Sequence, residues 1–91
     1  MVAYRIFITG QVQGVFFREW TVSRAREIGV AGWVRNRSDG RVEVYAAGVP
    51  DQLDRLVEKL REGSPASQVD GLEIVEAPIE AVEAFVRRQT L

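Results

Sequence analysis

The chain has 91 residues, 46% of them hydrophobic and 27% charged, and a net charge of −1. That balance predicts one globular domain over residues 1–91 with a modest core, and it argues against bulk binding to nucleic acid. No apolar run approaches the roughly 20 residues of a membrane span, and no basic segment followed by an apolar block opens the chain. The expectation is a cytoplasmic protein with neither a membrane nor a nucleic-acid partner.

Tyr4, Ile6 and Ile8 alternate with Arg5, Phe7 and Thr9, which predicts an interior first strand. The run Gly10-Gln11-Val12-Gln13-Gly14-Val15-Phe16-Phe17-Arg18 follows as a glycine-bearing loop that enters a helix. Phe17, Thr21, Ala25 and Ile28 recur at helical spacing, and Gly29 is a natural stop. Trp20 and Val22 fall outside that stripe.

Ala31 to Arg37 reads as a second strand, Ser38-Asp39-Gly40 as a hairpin turn, and Arg41 to Ala47 as a third strand. Pro50 and Asp51 suit the first turn of a second helix, whose stripe is Leu53, Leu56, Val57 and Leu60. Gly63-Ser64-Pro65 ends it, and Ser64 to Asp70 reads as a loop. Leu72 to Ala77 predicts a fourth strand, Pro78 to Ala81 a turn, and Phe85 to Leu91 a fifth strand.

The order βαββαβ plus a fifth strand predicts an α+β, ferredoxin-like two-layer sandwich with both helices on one face of an antiparallel sheet. In that topology the first and second strands run the same way, with the third between them. Their C-terminal ends share one edge, so the Gly10–Arg18 loop lies beside Asn36, about two strand spacings (~10 Å) away.

Strand, glycine loop and helix start form a layout that binds anions, through converging N–H groups and the helix dipole. Arg18 adds a planar fork that fits a phosphoryl group. A plain turn beside a surface arginine is the competing reading of this stretch. Asn36 by itself reads as a strand end or turn residue. Arg35, Arg37 and Arg41 read as exposed strand charges that discourage edge pairing, and Trp33 as packing. Glu19 and Asp39 make a poor Mg²⁺ site, and no metal is expected.

The residues that are missing narrow the chemistry further. There is no cysteine and no histidine, and Lys59 is the only lysine. Thiolate and imidazole catalysis are excluded, and a Schiff base would rest on Lys59 alone. What remains is arginine, amides, hydroxyls, carboxylates and backbone.

Gly10 to Arg18 with Thr21 and Ala25, then Gly32-Trp33-Val34-Arg35-Asn36 and Asp39-Gly40, closely resembles the acylphosphatases. The likeness continues through Val42-Glu43-Val44, Gly48 and Gly63 to Val69, and so covers nearly the whole chain. It implies hydrolysis of the carboxyl–phosphate bond of small acyl phosphates without metal or organic cofactor. It also implies that Arg18 binds the phosphoryl group and Asn36 positions the attacking water. The backbone of Gln11, Val12, Gln13, Gly14, Val15, Phe16 and Phe17 would complete the phosphate cradle. Ser64 and Trp20 depart from the family's pattern without touching the motif.

The inventory fits that chemistry. A carboxylate leaves without protonation, since its conjugate acid has a pKa of about 4. Phosphoryl transfer through a loose transition state needs positioning and charge stabilisation more than a strong base. The alternative is a non-catalytic module of the same fold that binds phosphate or carbamoyl phosphate. An RNA reader is disfavoured, because Arg41-Val42-Glu43-Val44-Tyr45 lacks the aromatic and basic pattern of such a strand. A monomer is expected.

Overall fold

The computed structural model describes residues 1–90. Its elements are β1 (Val2–Gln11), α1 (Phe17–Ile28), β2 (Ala31–Asn36), β3 (Val42–Gly48), α2 (Pro50–Glu62), β4 (Gln68–Glu76) and β5 (Phe85–Arg87). The strands form one sheet in the order β4-β1-β3-β2-β5. Both β1 and β2 pair antiparallel with β3, so they run the same way and end on one edge. The topology therefore carries the loop after β1 towards Asn36, the last residue of β2.

Both helices cover one face. Ile6, Ile8, Val34, Val42 and Val44 meet Phe17, Ala25, Leu53, Leu56 and Leu60 there, all fully or almost fully buried. Each of the three α2 leucines contributes roughly 2 kcal/mol of burial. The α1 stripe is wider than its spacing predicts: Val22 is buried, while Ile28 and Trp20 are only half-buried.

The last third of the chain departs most from the pattern. β4 begins at Gln68, inside the stretch expected as a loop, because β1 continues past a bulge at Thr9/Gly10 and pairs Gly10 with Val69 and Gln11 with Gln68. Gly10 is required there: its φ is 129°, and a Cβ would lie 2.1 Å from the Gln68 carbonyl oxygen. The expected turn at Pro78 to Ala81 belongs to a strap, residues 77–84, that joins strands on opposite edges of the sheet. It crosses the face away from the helices. The Tyr45 hydroxyl donates to the Pro78 carbonyl oxygen (2.8 Å) and accepts from the Glu80 amide (2.6 Å), and Ala77 and Val82 pack against Trp33 and Tyr45.

The strap arrives at the end of the sheet where β2 starts, so β5 leaves it parallel to β2. The sheet is therefore mixed at this one pairing, where antiparallel order was expected throughout. Of the expected fifth strand, Phe85–Arg87 is strand; its last residue, Leu91, lies outside the described residues.

The strand arginines also differ from expectation. β2 is an interior strand, and Arg35 and Arg37 are not free edge charges. Both donate to Glu43 Oε1, at 2.9 and 2.7 Å, and Arg5 donates to Glu43 Oε2 at 3.0 Å. Glu43 is fully buried. A charge placed there requires several partners, because burial alone would neutralise it. Arg41 pairs with Asp39 in the hairpin turn (2.8 Å). Trp33 is packing, as expected: it is buried, stacks on Tyr45, and carries the Arg35 and Arg88 guanidinium groups over its ring.

Candidate active site

Between β1 and α1 the backbone is bent by two residues with positive φ, Gly14 at 75° and Phe16 at 57°. A left-handed phenylalanine costs about 1 kcal/mol, and such strain is held where the surroundings require it. Phe16 is also 83% exposed, so side-chain burial does not compensate for that conformation. Positive φ values at alternate positions bring successive amide groups to one side of a loop, the arrangement that cradles anions. Among the described residues, no hydrogen bond is donated by the amides of Gly14 to Glu19. These donors, with the N-terminus of α1 behind them, suit a phosphoryl group.

Arg18 stands in the first turn of α1, and its Nη1 donates to the Arg88 carbonyl oxygen (3.1 Å). That tether fixes one arm of the guanidinium. Asn36, at the end of β2, has a buried side-chain oxygen, Oδ1, without a hydrogen-bond partner among the described residues. An amide oxygen in that condition is an acceptor ready for a ligand or a water.

These groups face one another across a cavity of about 230 Å³ lined by Val12, Gly14, Phe16, Phe17, Arg18, Glu19, Asn36 and Arg87. The cavity thus unites the loop, Arg18 and Asn36. Gln11, Gln13 and Val15 do not line it. Gln11 is part of the β1–β4 ladder. Gln13 turns its side chain to the β2–β3 hairpin, where Nε2 donates to the carbonyl oxygens of Arg37 (2.8 Å) and Arg41 (2.9 Å). Val15 packs against the helix-face core.

Glu19 and Arg87 are cavity residues that the sequence pattern did not single out for an anion site. They form an ion pair from α1 to β5. The signal for Arg87 was its strand, but locating it needed the parallel pairing of β5 with β2, which sets Arg87 opposite Val34.

Electrostatics outside the cavity reinforce the frame. Burial pushes the Glu43 carboxyl up, but the hydrogen bonds from Arg35 and Arg37 outweigh it and hold the group below its ordinary value. Asp39 is likewise held low by its side-chain and backbone bonds from Arg41. Among the described residues, no group of three or more His, Cys, Asp or Glu side chains comes together.

A family model described as Acylphosphatase matches residues 4–87. An acylphosphatase of Rhizorhabdus wittichii is 46% identical over 90 residues, covering 99% of this chain and 91% of that one. The crystal structure of acylphosphatase from Bacillus subtilis superposes with a TM-score of 0.93 at 40% identity, covering 97% of this chain and 99% of that one. HypF of T. kodakarensis superposes with a TM-score of 0.88 at 27% identity, over all of this chain but only 12% of its own length.

Proposed function

This chain belongs to the acylphosphatase family and is an acyl phosphate hydrolase, and we propose that Arg18, the loop amides and Asn36 carry the reaction. Arg18 and the free amides that begin at Gly14 hold the phosphoryl oxygens, and Asn36 orients the attacking water. The observation that supports this reading is the convergence, on one cavity, of the positive-φ loop, Arg18 and the unpartnered Asn36 oxygen.

Charge stabilisation does most of the chemical work. In the transition state negative charge spreads over the equatorial phosphoryl oxygens, where a guanidinium and preorganised amides act in the manner of an oxyanion hole. The Asn36 oxygen accepts one hydrogen from water and aims its lone pair at phosphorus. As the water oxygen bonds to phosphorus, the phosphorus–oxygen bond to the acyl group breaks and its electron pair leaves on the carboxylate. The water proton passes to a phosphoryl oxygen, so no protein base is required. The cavity takes a small acyl phosphate, without a metal or organic cofactor. The 91-residue chain acts as one domain and one monomer, in the cytoplasm.

Asn36→Ala tests the assignment. Because ordering water matters mainly in the transition state, kcat should fall by about 100-fold while KM changes little. A rise confined to KM would reassign Asn36 to substrate binding. Binding of inorganic phosphate by a well-folded protein without turnover would favour the non-catalytic reading.

A further inference from the structure

The Glu19–Arg87 pair lines the cavity that holds Arg18 and Asn36. Glu19 belongs to the first turn of α1, one residue beyond Arg18, and Arg87 comes from β5. Both side chains are about half exposed, 55% for Glu19 and 51% for Arg87. An ion pair that wet holds its partners weakly. Arg18 has one guanidinium arm committed to the Arg88 carbonyl oxygen, which leaves it fewer donors for a three-oxygen ligand.

We propose that Arg87 is a second anion-binding residue of this cavity, which exchanges its Glu19 partner for a phosphoryl oxygen when substrate enters. Charge-assisted pairing of guanidinium with a phosphoryl group is stronger than an exposed carboxylate pair. The exchange therefore costs little. Glu19, half exposed, is free to turn into solvent. Glu19 thus acts as a resident competitor that sets how tightly the cavity holds dianions, the substrate and the phosphate product alike. This rests on Arg18 and the loop being the phosphoryl site.

The test is competitive inhibition of benzoyl phosphate hydrolysis by inorganic phosphate, at fixed ionic strength, with Arg87→Gln, Glu19→Gln and Arg18→Ala. Both new variants lie at exposed positions and leave the core untouched. Arg87→Gln should raise the Ki for phosphate about tenfold, the loss of one hydrogen-bonded charge. It should raise KM in parallel. Glu19→Gln should lower Ki by about threefold, because it removes the competitor of a weak surface pair. A merely structural pair would lower the melting temperature of both variants without moving Ki. An unchanged Ki in Arg87→Gln, or a raised one in Glu19→Gln, overturns the proposal. Phosphate binding to Arg18→Ala, followed by calorimetry, separates the two levels. Loss of binding there with an unchanged Ki in Arg87→Gln leaves the phosphoryl-site reading standing, whereas full binding to Arg18→Ala overturns both.

Discussion

Gln13 Nε2 donates a 2.8 Å hydrogen bond to the carbonyl oxygen of Arg37, the residue after Asn36. One side chain thus ties the loop that cradles the anion to the strand end that carries Asn36. The tie is doubled by the bond to Arg41, at 2.9 Å. The relative position of loop and Asn36 is therefore set by a residue that lines no part of the cavity.

Gln13→Ala should lower kcat about tenfold, since small misplacements of reacting groups are costly. Loss of the two bonds should cost about 1 kcal/mol each in stability. Gln13→Glu keeps the size but loses the donors and faces two carbonyl oxygens, so it should be at least as impaired. Steady-state kinetics and thermal melting check both. A wild-type kcat in Gln13→Ala would show that the loop holds its place unaided.

Glu43→Gln should cost about 3 kcal/mol, because it uncouples the guanidinium groups of Arg5, Arg35 and Arg37 from their shared carboxylate. The same residue sets a pH dependence. Its folded-state pKa is held below the ordinary 4.5, so its contribution is complete above that value and is lost as pH falls through the depressed folded value. Urea titrations of the native protein should give a stability that declines in acid, and the decline should be shallower in Glu43→Gln. Equal slopes would remove Glu43 from the acid response.

Two loop glycines should behave differently. At Gly10 a Cβ meets the Gln68 carbonyl oxygen at 2.1 Å, so Gly10→Ala should part the β1–β4 ladder and cost about 3 kcal/mol or more. At Gly14 a Cβ meets none of the described residues within 4 Å, and the φ of 75° is what opposes it. Gly14→Ala should cost about 1 kcal/mol and fold normally, yet lower kcat/KM as the amide array shifts. Chemical denaturation separates the two; similar losses at both sites would contradict the distinction.

Much of this was legible in the chain. The alternation of Tyr4 to Thr9, the helical stripes and the Asp39-Gly40 turn fix the elements, and their order places Asn36 beside the loop. What escaped depended on contacts distant in sequence. Glu43 alternates with Val42 and Val44, and nothing local says that the face it occupies is closed by residues 77–84. Arg35 in β2 and Arg37 just after it therefore read as surface charges until Glu43 is seen beneath them. Arg87 escaped for a related reason: β5 is short, and its partner is set by where the strap delivers it. Gln13 read as a backbone donor because a loop glutamine carries no periodicity that reveals where its side chain goes.

The most direct test is hydrolysis of benzoyl phosphate with excess EDTA, comparing the native protein with Arg18→Ala. The native protein should turn over undiminished by the chelator, and Arg18→Ala should lose about 10³-fold or more in kcat/KM. Near-native turnover in Arg18→Ala, or activity abolished by the chelator, would contradict a metal-free hydrolase centred on Arg18 and its loop.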